Sequence, residues 1–189
     1  MVGYSRRQIL LVSLIVEGAL AGIYFVWFAL RGESIGGIAF WRWPTQDELL
    51  LGLAGTLPLF FLNFTLFGKL GERVSCLRSC YEFRDRVVQP LANQLDWVGA
   101  VLVSLCAGIG EELFFRGVIQ GEAGIIIASL AFSFLHFGRA ATKYALVVFV
   151  YTVIGFYFGF LASYSDSLLV PIISHAVYDL GAILYLRFL

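Results

Sequence analysis

An all-α, polytopic bundle of about six membrane-spanning helices, with one amphipathic helix on the membrane surface, is the fold this sequence predicts. Three observations carry that expectation. The 189 residues are 60% apolar and 14% charged, whereas soluble domains are roughly 45–50% apolar and about 25% charged. Apolar runs long enough to cross a bilayer recur from end to end. Charge collects between those runs, and the few ionisable groups inside them include both histidines of the chain.

Taken in order, Arg6 and Arg7 precede the first run, 9–30, which is long enough to cross a hydrocarbon core about 30 Å thick. Ala19-Leu20-Ala21 resembles a signal-peptide cleavage site, but the apolar run continues past it and the sequence begins at Met1, so a retained anchor is expected. The second run is 49–67. Over 69–90 the chain is charged, yet Val74, Leu77, Tyr81, Val88 and Leu91 recur at helical spacing, which predicts a helix lying on the membrane with its arginines toward headgroups. Trp97 marks the interface where a third span begins, reaching about Gln120. A shorter run, 123–137, is closed by Gly138 and Arg139. The fifth span, 143–163, carries a ridge of small residues, Gly155, Gly159 and Ser163, on which another helix can pack closely. The sixth, 168–188, has Pro171 in its first turn, where a missing N–H does least harm.

One integral membrane domain is expected, with residues 1–96 supplying two spans and the surface helix and residues 97–189 supplying the remaining spans. With the N-terminus inside, Arg6, Arg7, Lys69, Arg73, Arg78, Arg84, Arg86, Arg139, Lys143 and Arg187 all fall on the inner side, and only Arg31 and Arg42 fall outside. That asymmetry places both termini in the cytoplasm, in a cell membrane of bacterial inner-membrane type. No basic stripe points to nucleic acid. Cys76, Cys80 and Cys106 are odd in number and lack a framework spacing, so free thiols are expected.

The chemistry centres on Glu111-Glu112-Leu113-Phe114-Phe115-Arg116. A charge at membrane depth costs about 2.5–3.5 kcal/mol on insertion scales, so it needs a partner, a wet cavity or a function. Glu112 and Arg116 are i,i+4 neighbours with the acid first, the favourable order for an ion pair. Glu111 lies about 140° around the helix from Arg116. Glu112–Arg116 is therefore the expected holding pair, and Glu111 the acid free for chemistry. His136 follows Phe132 by one turn, and His175 precedes Asp179 by one turn on the same face. Counted inward at about 1.5 Å per residue, Glu111 lies roughly 21 Å from Trp97, His136 roughly 20 Å from Ala123 and His175 roughly 12 Å from Ser167, depths that let them meet near the midplane. Glu17, isolated in the first span, is expected to pack or line a cavity, and Asn63 to pack.

A carboxylate beside a neutral imidazole can hold a water and take its proton as the water attacks a carbonyl. The oxyanion then needs donors. His175 can supply one; Asp179 donates only if protonated, and otherwise orients His175. Gly108 and Gly110 leave space beside Glu111 where a substrate backbone could approach. There is no Gly-x-Ser-x-Gly elbow, and no cysteine adjoins a histidine.

Glu111-Glu112-x-x-x-Arg116, Phe132-x-x-x-His136 and His175-x-x-x-Asp179 resemble the three ordered motifs of the CPBP superfamily, the CAAX-protease and bacteriocin-processing group of glutamate-dependent intramembrane endopeptidases. The resemblance covers about 97–188. It implies that Glu111 with His136 activates water, that Glu112 and Arg116 support the site together with Phe132, and that His175 and Asp179 form the oxyanion side. Asp179 stands where the family often has Asn. The shortness of the chain is similar to bacterial C-terminal-sorting members, of myxosortase type. The expected substrate is a membrane-anchored protein or peptide cut near its membrane-embedded or lipidated C-terminal tail, with no cofactor.

Two other readings are carried. Glu111, His136 and His175 supply enough ligands for a catalytic zinc with an open position, although the spacing is not His-Glu-x-x-His. Buried acids and histidines also suit a proton-relay transporter or a non-enzymatic immunity-type scaffold, although no pair of interrupted helices in matching halves is visible.

Overall fold

The computed structural model describes residues 4–32 and 42–188, and every regular element among them is helical. Helix α1 (Arg6–Leu30) starts from a capping box in which Ser5 and Gln8 satisfy each other's backbone N–H groups. Helix α2 (Gln46–Leu66) starts from the equivalent Thr45–Glu48 box. Both of these first two spans fall where the apolar runs predicted them.

The expected surface helix is broken into short pieces: α3 (Lys69–Arg73), α4 (Arg78–Phe83) and α5 (Gln89–Ala92). Val74 is extended (φ −99°, ψ 114°), which ends α3. Between α4 and α5, residues Arg84–Val88 form a π-type turn in which the Gln89 N–H reaches Arg84 O. Pro90 follows directly and has no N–H to donate to Arg86, so a regular ladder cannot pass this point. The amphipathic pattern still holds. Val74, Leu77, Tyr81, Val88 and Leu91 are half-buried, whereas Arg78 and Arg86 are exposed. Phe83 anchors the segment, its ring 5.2 Å from both Phe137 and Tyr144.

Helix α6 (Trp97–Glu112) passes without interruption into π-helical turns over Leu113–Gln120 and then into α7 (Gly121–Phe137). Helices α8 (Ala145–Ser165) and α9 (Leu169–Phe188) complete the bundle. Among the described residues five helical runs are long and apolar enough to cross a membrane, one fewer than the sequence predicts. The expected third and fourth spans share one run, Trp97–Phe137, of 41 residues.

As a straight rod that run would be about 60 Å long. It is instead a hairpin. Gly124 has φ 85° and ψ 165°, a conformation essentially reserved for glycine, and beyond it Phe132 packs its ring 5.3 Å from that of Phe115. The returning arm after Gly124 is only about 20 Å long at helical rise, too short for an independent crossing.

Helix directions follow from the contacts. Arg6 pairs with Asp96, Glu17 lies against Gly110 and Tyr24 against Gly117, so α1 and α6 are parallel. Gly52 meets Ile173, Phe60 meets Tyr178 and Phe64 meets Tyr185, so α2 and α9 are parallel. With the α6–α7 hairpin included, the chain passes back and forth six times.

Close packing explains several glycines. At Gly108 a methyl would fall 2.9 Å from Ala176 Cβ, and at Gly110 a methyl would fall 2.6 Å from the Glu17 carbonyl oxygen. The space expected beside Glu111 for a substrate backbone is therefore occupied by α9 and α1. Gly155 brings α8 against Ser129 of α7, as the small-residue ridge predicts. The buried core joins α2, α8 and α9 through Leu59, Val147, Val150, Ile154, Phe158 and Val170. On α1 only Tyr24 and Phe28 are buried, and most of its remaining apolar side chains are exposed, as lipid contact requires.

Candidate functional site

The hairpin brings the two halves of the site together. Glu111 on α6 and His136 on α7 are 25 positions apart in sequence, yet Glu111 Oε1 lies 3.4 Å from His136 Nε2. His136 Nδ1 lies 2.7 Å from the carbonyl oxygen of Phe132. A carbonyl only accepts, so Nδ1 carries a proton, and in the neutral form of the ring the Nε2 lone pair is turned toward Glu111. Two acceptors then face one another across the gap, an arrangement that a proton or a water completes. Glu111 Oε2 is closed to solvent and has no hydrogen-bond partner.

Behind this pair Glu112 is wholly buried and bridges two helices. Its Oε1 lies 2.8 Å from His175 Nδ1 on α9, and its Oε2 lies 3.2 Å from Arg116 Nε. The i,i+4 pair expected from sequence is present, but the same acid also holds His175, which spacing along the chain could not show. Accepting from Nδ1–H fixes the His175 tautomer, leaving Nε2 facing Asp179 Oδ2 at 3.5 Å. One proton between those two atoms makes either of them a donor.

Arg116 is held by more than its ion pair. Its Nη2 donates to Gly155 O at 2.9 Å, and its guanidinium lies 5.0 Å from the centroid of the Phe132 ring. Phe132 thus meets both histidines and the arginine: its carbonyl takes His136 Nδ1–H, its ring is 4.6 Å from the His136 ring and 6.2 Å from that of His175, and it underlies Arg116. The π-helical turns that carry Arg116 are of a kind that recurs at functional sites.

Several contributors were not singled out in the sequence. Phe158 stacks on His175 at 4.6 Å and 17°. Tyr151 lies 5.2 Å from His136. These two join Phe132, His136, His175 and Asp179 around a cavity of about 110 Å³. Tyr151 and Phe158 are seven residues apart on α8 and so share a face, and a stripe of aromatic residues opposite the polar motifs was the available signal. Glu17 lies close enough to Glu111, His175, His136 and Asp179 for their charges to be felt, and its Oε2 is closed to solvent without a partner. Its backbone packs on Gly110, next to Glu111, so packing beside the site is the role the contacts give it. Asn63 faces a second cavity.

Among the described residues no group of three or more His, Cys, Asp or Glu side chains is placed to hold a metal ion. Each nitrogen of the two rings already faces a carboxylate or a carbonyl.

Comparison with known proteins adds independent information. Residues 93–181 match the family model described as type II CAAX prenyl endopeptidase Rce1-like, a span that contains all three motifs. The chain is also similar to the uncharacterized protein YpbD of Bacillus subtilis (strain 168), at 35% identity over 88 residues, or 47% of this chain and 46% of that one. The match therefore spans about half the length of this relative. No solved structure matches the chain.

Proposed function

Because residues 93–181 carry the Rce1-like family's region and the chain is a polytopic helical membrane protein, we propose that it is a CAAX-type intramembrane endopeptidase. In this reading it hydrolyses a peptide bond near the membrane-embedded or lipidated C-terminal tail of an anchored substrate. The observation that carries the reading is the 3.4 Å approach of the buried Glu111 to His136, with Glu111 Oε2 left without a partner.

A water between Glu111 and His136 Nε2 loses its proton to Glu111 as its oxygen attacks the substrate carbonyl carbon. The carbonyl π electrons move to oxygen, giving a tetrahedral oxyanion. His175, held by Glu112 and facing Asp179, supplies the donor to that oxyanion from Nε2 when the shared proton resides there. Collapse breaks the C–N bond, and the proton taken up by Glu111 passes to the departing amine. Arg116 and Phe132 keep the two histidine-bearing helices in register. No cofactor takes part.

In this reading the chain lies in the cell membrane with both termini cytoplasmic, which the distribution of its basic residues supports. A zinc protease would require regrouping the acid and the two rings. An inert scaffold would leave the Glu111–His136 approach without a role.

The test is cleavage of a membrane-anchored tail peptide by the reconstituted chain. Glu111→Gln keeps the shape and removes the base, and is expected to lower kcat by about 10²–10⁴-fold while the protein stays folded. Full activity in both Glu111→Gln and His136→Ala would refute these roles.

A further inference from the structure

A second cavity, of about 260 Å³, adjoins the site. It shares Tyr151, Tyr178 and Asp179 with the smaller cavity that contains the two histidines. From Asp179 it continues along α9 past Ala182 and Ile183 to Leu186, about 10 Å at helical rise. Its lining is predominantly apolar, with Asn63 as a neutral polar group along the way.

Arg84 is the only basic side chain that lines it. Its Nη1 donates to Phe67 O at 2.9 Å, which sets it at the C-terminal end of α2. Since α2 runs parallel to α9, that is also the Leu186 end of the cavity, away from the histidines. The guanidinium rests 4.4 Å from the Tyr81 ring centroid. Arg84 Nε is closed to solvent and has no acceptor, and no ion pair with Arg84 occurs among the described residues.

A half-buried cation with a free donor, at the far end of an apolar cavity that adjoins the site, complements an apolar chain ending in an anion. We infer that this cavity receives the apolar C-terminal tail of the substrate and that Arg84 binds the tail's terminal α-carboxylate. The inference deepens the protease reading and rests on it for the direction of the tail. Arg84 lies outside the region that matches the family model. The planar guanidinium suits a carboxylate, to which it presents donors in a fixed fork. The clamp makes the enzyme a reader of free C-termini: a tail whose carboxylate is masked, or that continues into further chain, has no partner for Arg84.

The experiment compares two fluorophore-labelled peptides that end in the same four aliphatic residues, one as the free acid and one as the carboxamide. Affinity and cleavage are both measured on the full chain in lipid nanodiscs. A charge-assisted hydrogen bond corresponds to about tenfold or more in affinity, so the wild type is expected to bind the acid at least tenfold more tightly. Arg84→Gln is expected to abolish that preference by raising KM for the acid alone, with the amide unchanged and serving as the control for folding. Arg84→Lys retains the charge and keeps part of the preference. Equal binding of acid and amide by the wild type would overturn the clamp, as would an Arg84→Gln variant that weakens both peptides equally. Discrimination in binding without cleavage supports the clamp and counts against hydrolysis, so the two failures are distinct.

Discussion

Glu112 lies 2.8 Å from His175 through one carboxylate oxygen and 3.2 Å from Arg116 through the other. A single wholly buried acid therefore ties α6 to α9 and, through the Arg116–Gly155 hydrogen bond, to α8. The adjacent Glu111 has an oxygen with no partner. Two neighbouring residues of one type thus sit differently, one held through both carboxylate oxygens and one with an oxygen left over.

That division predicts opposite stability effects. Glu112→Ala leaves Arg116 buried without its counter-ion, and breaking a buried pair from one side costs about 3–5 kcal/mol. Glu111→Gln removes a buried charge that the fold meets through one oxygen only, and stability is expected to hold or rise while activity falls. Thermal unfolding of the two purified variants against wild type measures the contrast. Equal destabilisation by both would contradict it.

Gly124 forms the bend that returns His136 to Glu111. Alanine at φ 85° is expected to cost about 1–3 kcal/mol and to splay the hairpin, reducing cleavage. Gly121, three residues earlier, is helical (φ −61°) with nothing within 4 Å of an added methyl. Gly121→Ala is expected to be neutral or stabilising by up to about 1 kcal/mol. Activity and unfolding of this pair separate a backbone requirement from a general dislike of substitution in the segment.

The packing of α1 on α6 gives a third expectation. A methyl at Gly110 meets the Glu17 backbone, whereas Gly18 and Gly22 on α1 have nothing within 4 Å. Gly110→Ala should disturb the site next door and lower kcat, while Gly22→Ala leaves kinetics unchanged. A kcat for Gly110→Ala equal to wild type would show that α1 yields without consequence.

Metal removal offers a fourth. With the imidazole nitrogens already facing carboxylates and a carbonyl, cleavage is expected to survive exhaustive chelation. Inactivation by a chelator that added zinc reverses would replace the general-base mechanism with a metal-based one.

Orientation can be read from thiol labelling. Cys76 is exposed, whereas Cys80 is 0% exposed and burial pushes its thiol pKa up, leaving less thiolate to react. A membrane-impermeant maleimide should label Cys76 rapidly in inverted vesicles and not in intact cells. The reverse pattern would place the surface segment outside.

The helical class and the membrane setting were legible in the sequence because both follow from local quantities, the length and composition of apolar runs. The Glu112–Arg116 pair was legible for the same reason, being one helical turn apart. The limit shows at Gly124: apolar composition predicts two spans on either side of it, but whether the backbone breaks, bends or returns depends on φ and ψ at one residue. It shows again at Gly108 and Gly110, where missing side chains read as room for a substrate and two other helices took that room. Tyr151 and Phe158 were passed over because an aromatic residue in an apolar span looks the same whether it faces lipid or a histidine.

By itself the sequence determined which groups had to be sheltered. Ionisable side chains at membrane depth are too costly to leave to lipid, so two acids, an arginine, two histidines and Asp179 needed a common interior. Which atom meets which was decided only by the tertiary structure. The hairpin at Gly124 set Glu111 against His136, the close α6–α9 contact at Gly108 set Glu112 against His175, and the packing of α1 brought in Glu17. These are contacts between residues far apart along the chain, fixed by the packing of whole helices, and local spacing carries no information about them.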